Sequence, residues 1–174
     1  MNWNKPNPVL LLLGLLVQGC GIYSFLGTSL PPNAKTFSLQ IQSNIALGPP
    51  DLAENFQQRL SDELIQRTSL KQVYTQGDLQ LEGVIQKFEY VAMAPTTSKD
   101  AEERDQVSID RLTIEIQMNY INPYNPDTSF KKKNLSQYAD MSANASRSDE
   151  ESRLIDDIFT KLIKDVFNET VANW

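Results

Sequence analysis

Residues 111–120 read RLTIEIQMNY, and from Leu112 onward apolar and polar side chains alternate without interruption. A period of two places successive side chains on opposite faces of a strand. The apolar set is Leu112, Ile114, Ile116, Met118 and Tyr120, and the polar set is Thr113, Glu115, Gln117 and Asn119. The fold is therefore expected to centre on a sheet with one buried and one polar face.

Three weaker strands surround this one. The first contains Phe37, Leu39 and Ile41, each followed by a polar residue. The second begins after Gly77–Asp78, with Leu79, Leu81 and Ile85 facing inward. The fourth, from Phe130 to Asp140, is more polar and follows a turn-forming cluster at residues 122–127.

Two helices are predicted from apolar residues at helical spacing. Asp51 and Glu54 form a cap pairing after the Gly-Pro-Pro break at 48–50, and the helix runs to about Thr68. Its apolar face is Leu52, Phe56, Leu60 and Leu64. Ser148 and Glu151 form a capping box that opens the second helix. Its stripe is Leu154, Ile155, Ile158, Phe159, Leu162, Ile163, Val166 and Phe167.

The element order β-α-β-β-β-α predicts an α/β (α+β) fold. The strand-helix-strand unit favours a parallel crossover, and the last three strands suit an antiparallel meander. Both helices then cover one face of a four-stranded mixed sheet. The other face is expected to be wet or bound to something polar, because it carries Gln40, Gln42, Gln80, Glu82, Glu115, Gln117 and Asn119.

Composition excludes several classes of protein. The 174 residues contain no histidine and one cysteine, so Ser-His-Asp catalysis, an intramolecular disulfide and multi-cysteine zinc sites are ruled out. A net charge of −6 with no long basic run makes the chain a poor nucleic-acid binder. No pair of carboxylates is spaced for acid–base catalysis, and Asp100, Glu102, Glu103 and Asp105 lack the pattern of a calcium loop. We expect no catalytic residues, no metal and no cofactor.

The N-terminus is typical of an exported lipoprotein. Lys5 precedes an apolar run from Val9 to Val17, which is too short to span a bilayer, and Gly19 precedes Cys20. This resembles a lipobox, in which Cys20 carries a diacylglycerol and an N-acyl chain such as palmitate; the alternative is a buried free cysteine. We divide the chain into a signal peptide (1–19), a lipidated N-terminus and linker (20–34) and a single domain (35–174).

A family resemblance follows from several motifs. They are Cys20–Phe25 (CGIYSF), Gly77–Gly83 (GDLQLEG), Arg111–Ile114 (RLTI), Tyr138–Asp140 (YAD) and Val171–Trp174 (VANW). In these motifs and in element order the chain resembles the LptE family of lipopolysaccharide-assembly lipoproteins, particularly its Bacteroidota-type members.

The resemblance implies a function without catalysis. Such a protein plugs the lumen of the outer-membrane barrel LptD, assists its assembly and contacts lipopolysaccharide. Gly21, in place of an inner-membrane retention Asp, favours the outer membrane by the same resemblance, with the domain on the periplasmic side or within the barrel lumen. The alternative is a stand-alone periplasmic lipoprotein that regulates or binds a cell-wall enzyme or a small ligand.

Lys131, Lys132 and Lys133 have two interpretations. Lysines on an edge strand protect the sheet from unwanted pairing. Ammonium groups also bind phosphates, so these residues, supplemented by Arg111 and Lys87, are candidate contacts to lipopolysaccharide.

The hairpin between the second and third strands changes its alternation. Phe88 and Tyr90 are even-numbered although Leu79 and Ile85 are odd, and on the facing strand Val107 and Ile109 are odd although Leu112 onward is even. Pairing Ile85 with Leu112 and Phe88 with Ile109 would place both changes opposite each other.

That register predicts a partner-contact patch of Phe88, Tyr90, Val107 and Ile109 on the face away from the helices. A bulge that rotates the hairpin back is the alternative.

Overall fold

The computed structural model describes residues 30–93 and 109–172, and its sheet has five strands in the order β2-β1-β3-β4-β5. The elements in chain order are β1 (Thr36–Ser43), α1 (Leu52–Arg67), β2 (Lys71–Gln72), β3 (Leu79–Met93), β4 (Ile109–Ile121), a 3₁₀ turn (Pro126–Thr128), β5 (Phe130–Ser142) and α2 (Arg147–Thr170). The predicted mixed sheet with two helices is confirmed. The predicted signal peptide, Cys20, Val107 and the acidic stretch at 100–105 lie outside the described residues.

The topology follows the predicted crossover and meander. Strand β1 runs parallel to β3, and β3, β4 and β5 are antiparallel neighbours. The strand count of four was wrong, because β2 adds a fifth strand that pairs in parallel with Thr36 and Phe37 of β1. Two residues are too few to show an alternating pattern, so the sequence carries no signal for β2.

Both helices pack on the same face of the sheet. Phe56 of α1 and Phe159 of α2 are fully buried, and their ring centroids lie 5.0 Å apart in an edge-to-face arrangement that joins the helices. All eight residues of the predicted α2 stripe are buried, as are the four predicted on α1. Their burial beneath the helices makes this face the core of the domain.

The helix ends differ in detail from the predictions. Helix α2 begins at Arg147 after Ser146, so Ser148 lies inside the first turn and the predicted capping box is wrong. Asp51 does occupy the position before α1, but its side chain makes no capping hydrogen bond. Spacing alone did not identify the first residue, since Ser146 and Ser148 are both suitable caps.

Gly77 and Asp78 attach the start of β3 to the start of β1. A Cβ atom on Gly77 would lie 2.4 Å from the backbone nitrogen of Ser38, so the close approach of the two segments requires glycine. The Asp78 carboxylate accepts hydrogen bonds from the backbone N–H groups of Lys35 and Thr36, both at 2.9 Å, and from the Thr36 hydroxyl. These hydrogen bonds, that from Lys35 first, lower the pKa of Asp78 below its ordinary value of 3.8.

The register predicted for the β3–β4 hairpin was wrong. Ile85 lies opposite Ile116, not Leu112, and the next pair is Lys87 with Glu115, so Gln86 is an extra residue in β3. This bulge changes the alternation of β3 alone, while β4 keeps one alternation from Ile109 to Ile121. The structure therefore shows the alternative to the predicted register, a bulge that returns the two aromatic side chains of β3 to the helix side. The bulge is in β3 only.

Candidate functional site

The face of the sheet away from the helices, called the open face here, is polar along β1, β3 and β4. All seven polar residues predicted for this face alternate with buried neighbours and are themselves half-buried or exposed. They are Gln40, Gln42, Gln80, Glu82, Glu115, Gln117 and Asn119. Helices α1 and α2 pack over the opposite face, and the described loop at residues 74–76 borders Gln40, Gln80 and Glu82 on this one.

Five of these side chains form what we call the amide-rich patch. Gln40, Gln42, Glu82, Gln117 and Asn119 line one shallow depression of about 180 Å³. The strand register explains their convergence, because Gln40 is beside Glu82 and Glu82 is beside Asn119 across three adjacent strands. Two amides and a carboxylate are thereby placed next to one another in one row, and the other two amides, Gln42 and Gln117, lie in the adjoining row.

The side chains of the patch have few internal hydrogen bonds. Asn119 Nδ2 lies 3.5 Å from Glu82 Oε2, and Gln117 Nε2 donates to Asn134 Oδ1 at 3.0 Å. Within residues 30–93 and 109–172, the side chains of Gln40 and Gln42 have no hydrogen-bond partner. The patch therefore retains donors and acceptors for an external polar group.

Arg111 and Lys87, the two basic residues predicted to supplement the lysines, are already paired with carboxylates. Arg111 donates two hydrogen bonds to Asp140, at 2.7 and 2.8 Å, and its guanidinium lies 3.7 Å from the centre of the Tyr138 ring. The hydrogen bond from Arg111 is the main reason that the pKa of Asp140 is lowered. Lys87 Nζ lies 3.4 Å from Glu89. Neither cation is free to meet an incoming phosphate without giving up a partner.

Lys131, Lys132 and Lys133 lie on β5, which is an edge of the sheet. Lys133 pairs with Glu169 of α2 at 2.5 Å, while Lys131 and Lys132 are exposed beside an irregularity in the β4–β5 ladder. The edge position supports the interpretation that these lysines prevent unwanted pairing. Their contact with lipopolysaccharide stays a prediction.

The predicted basic residues do not converge on one site. Arg111 lies opposite Asp140, whereas Lys133 lies opposite Met118, seven residues further along β4. At the rise of an extended strand this separates them by about 23 Å. A single phosphate cannot be held by both.

The predicted apolar patch is divided between the two faces of the sheet. Phe88 and Tyr90 pack against the core on the helix side, and Tyr90 donates a hydrogen bond to Glu151 of α2 at 3.2 Å. Burial, with the nearby charge of Glu151, raises the pKa of Tyr90 to about 12. Ile109 is exposed on the open face, where it pairs with Met93. The bulge at Gln86 is the reason, because it returns Phe88 and Tyr90 to the helix side.

The Phe88 and Tyr90 rings border a groove of about 770 Å³ at the end of the sheet near α2. Its other walls include Leu47 and Pro50 from the loop before α1 and Arg147 from the first turn of α2. Arg147 is held by Asp110 at 2.7 Å and lies over the Tyr90 ring. Sequence reasoning missed this groove, because it depends on the bulge.

Tyr74 also was not predicted as a site residue. It follows β2 in a loop, is 94% exposed, and lines a depression together with Gln40, Gln80 and Glu82. An aromatic side chain in a polar loop without periodic apolar neighbours is the signal that could have identified it.

The described residues contain no group of three or more Asp, Glu, His or Cys side chains able to hold a metal ion. Neither α1 nor α2 has the combination of length and apolarity needed to cross a bilayer.

Several solved structures resemble the chain in fold. A minor lipoprotein from Acinetobacter baumannii is 10% identical, with 78% of this chain and 91% of that chain aligned and a TM-score of 0.48. Lipoprotein B from Nitrosomonas europaea is 11% identical over 79% and 85% of the two chains, with a TM-score of 0.45. Rare lipoprotein B from Shewanella oneidensis is 11% identical over 76% and 89%, with a TM-score of 0.43.

No curated protein sequence matches the chain. A family model does match it, from residue 34 to residue 170, and this range includes every described strand and helix. The family is described as LptE, lipopolysaccharide-assembly. The chain therefore belongs to the LptE family.

Proposed function

We propose that this protein is an outer-membrane lipoprotein that plugs an LptD-like β-barrel and assists its assembly, and so helps deliver lipopolysaccharide to the outer leaflet. The observation that carries the proposal is the family match over residues 34–170. The resemblance of the motifs around Cys20 and Gly77 supports the same assignment.

The two different faces of the sheet suit a plug. A single core under α1 and α2 makes the domain self-supporting, so it does not need the barrel wall to complete its packing. Wide membrane barrels have polar, water-filled interiors, and a polar open face is compatible with such a lumen. We propose a role in positioning and assembly without catalysis, and no nucleic-acid partner.

Lipidation of Cys20 is part of the proposal. Two or three acyl chains would hold the domain at the membrane, since each buried CH₂ contributes about 0.8 kcal/mol. Cys20→Ala is expected to leave the domain folded, because every described strand and helix begins at Thr36 or later. The variant should leave the membrane fraction after a high-salt wash of cells lacking the barrel; if it stays, the lipoprotein assignment is wrong.

A pull-down tests the partnership with the barrel. The native lipoprotein, extracted in detergent with an affinity tag after Trp174, should retain a large β-barrel protein in a fixed ratio. Recovery of the lipoprotein with a cell-wall enzyme and no barrel would favour a stand-alone periplasmic lipoprotein instead.

Lipopolysaccharide contact by the β5 lysines has its own test. Replacing Lys131, Lys132 and Lys133 by Gln should weaken binding and reduce its salt dependence, because exposed charge pairs are screened by salt. A variant with Gln at Lys35 and Lys71, which are exposed at the opposite edge of the sheet, removes charge from a different surface and serves as the control. Equal binding by the wild type and the triple variant at low salt would leave only protection of the edge.

A further inference from the structure

The amide-rich patch has the dimensions of an extended binding surface. Its side chains lie in rows across the strands, with Gln42, Val84, Gln117 and Asn134 in one row and Gln40, Glu82 and Asn119 in the next. Strands lie about 4.8 Å apart and residues of one face about 6.6 Å apart, so four strands and two rows extend over about 14 by 7 Å. Several polar groups of one ligand could be contacted at once.

The chemistry of the patch favours an uncharged ligand. Each carboxamide presents two donors and an acceptor in one plane, and the unpaired side chains of Gln40 and Gln42 supply both kinds of group. Glu82 contributes an acceptor and a negative charge that disfavours phosphate. Arg111 and Lys87 on the open face are paired with Asp140 and Glu89, which leaves Lys132, whose backbone N–H donates to Asn119, as the exposed cation beside the patch.

Two apolar groups complete the surface. Val84 lies half-buried among the amides and presents a small apolar contact. The Tyr74 ring, 94% exposed, borders the adjoining depression, which shares Gln40 and Glu82 with the first. A ligand with hydroxyl groups on its rim and C–H groups on its faces would match amides and an aromatic ring together.

We propose that the amide-rich patch, with Tyr74 at its border, binds uncharged sugar residues of the polysaccharide part of lipopolysaccharide. The identity of the glycan rests on the proposed function, whereas the sugar chemistry rests on the patch. The hydroxyl groups of the sugars exchange hydrogen bonds with Gln40, Gln42 and Gln117. Lipid A, which is acylated and phosphorylated, does not fit this surface.

The side-chain amides themselves provide the readout. The full chain, labelled with ¹⁵N-glutamine and held in detergent micelles, is titrated with polysaccharide released from the bacterium's own lipopolysaccharide by mild acid and then dephosphorylated. NMR suits this titration, because open surfaces bind weakly. The side-chain NH₂ signals of Gln40, Gln42 and Gln117 should shift, and those of Gln58 and Gln66 on α1 should not.

Matched variants test the contribution of each part. Gln40→Ala with Gln117→Ala should raise the dissociation constant about tenfold, the effect expected for losing one or two ordinary hydrogen bonds. Gln58→Ala with Gln66→Ala removes the same number of amides from α1 and should change nothing. Tyr74→Ala should weaken binding, and Tyr74→Phe should preserve it, because stacking needs the ring and not the hydroxyl.

Several results would overturn the proposal. These are no shift at millimolar polysaccharide, equal shifts of the amides on α1, or shifts caused by the lipid A released in the same hydrolysis and not by the polysaccharide. Equal binding of peptidoglycan glycan strands would show a general sugar site and refute the assignment to lipopolysaccharide. A failed titration beside a successful barrel pull-down would refute this inference and leave the proposed function standing.

Discussion

The two faces of the sheet come from the same strands and differ in what packs on them. On β4, Leu112, Ile114 and Ile116 are completely buried under the helices, while the intervening Thr113 and Glu115 remain partly exposed. The side chains of the covered face are closely packed, so a change in the shape of one affects its contacts with several neighbours. The open face consists of polar side chains whose neighbours are mainly solvent. Stability and recognition are thus placed on opposite sides of one strand.

The comparison also explains why residues of the open face can be substituted with little effect on stability. Surface substitutions away from caps and buried networks usually change stability by less than about 0.5 kcal/mol. The amides of Gln40 and Gln117 could therefore be exchanged for other polar groups without loss of the fold. Substitutions on the covered face are expected to lower the free energy of unfolding much more.

The largest effect is expected from Phe159→Ala. This ring of α2 is fully buried and packs edge-to-face on Phe56 of α1, so its removal leaves a cavity that costs about 3–5 kcal/mol. The free energy of unfolding, measured by urea titration, should fall by that amount. Thr160→Ala, on the exposed side of α2, is the control, and an unchanged midpoint for Phe159→Ala would show that α2 is not part of the core.

The outer half of the β3–β4 hairpin distinguishes the two faces directly. Phe88→Ser should cost about 1–2 kcal/mol, because the ring packs against the core, whereas Ile109→Ser should cost less than about 0.5 kcal/mol at its exposed position. The measurement is the thermal midpoint of each single variant. Equal losses would contradict the bulge at Gln86, which alone separates these side chains onto different faces.

Asp78→Asn should change the response of stability to acid. Because the folded state lowers the pKa of Asp78, this carboxylate contributes stability above its ordinary value of 3.8, and the contribution is lost as the pH falls through the folded pKa. The variant should be less stable than the wild type near pH 7 and lose less on acidification. Urea midpoints of both proteins at pH 7 and pH 3 give the comparison. If the variant and the wild type lose the same stability between these pH values, the role of Asp78 is refuted.

The smallest effect is expected from Gln117→Ala. The side chain is half-buried on the open face and makes one hydrogen bond, to Asn134, so stability should stay within about 0.5 kcal/mol of the wild type. Thermal unfolding followed by circular dichroism is sufficient. A loss above about 2 kcal/mol would make Gln117 part of the structural core and remove the contrast between the faces.

Periodicity predicted the covered face well. The stripe from Leu154 to Phe167 and the alternation from Leu112 to Tyr120 specify which side chains meet, because helices and strands have fixed repeats. The polar residues of the open face were correct for the same reason. A repeat needs several turns or pairs to be visible, which is why the two-residue β2 was not predicted.

Features that depend on pairing between distant segments could not be predicted from the sequence. The bulge at Gln86 appears in the sequence only as a change of phase, and a second apparent change at Ile109 suggested a different register. Tyr74 and Gln40 line one depression because the loop after β2 lies beside β1, and no local pattern in the sequence indicates that approach. The pairing of Arg111 with Asp140, which joins β4 to β5, was likewise visible only in three dimensions.

The bulge at Gln86 has a consequence for how the length of β3 can vary. Because Gln86 is the residue without a cross-strand partner, its deletion would restore a regular ladder and leave Phe88 and Tyr90 on the helix side. Deletion of a paired neighbour such as Glu82 would instead move the apolar residues on one side of the gap to the opposite face. Among descendants of this gene, loss of a single codon within β3 should therefore be tolerated at position 86 and purged at position 82.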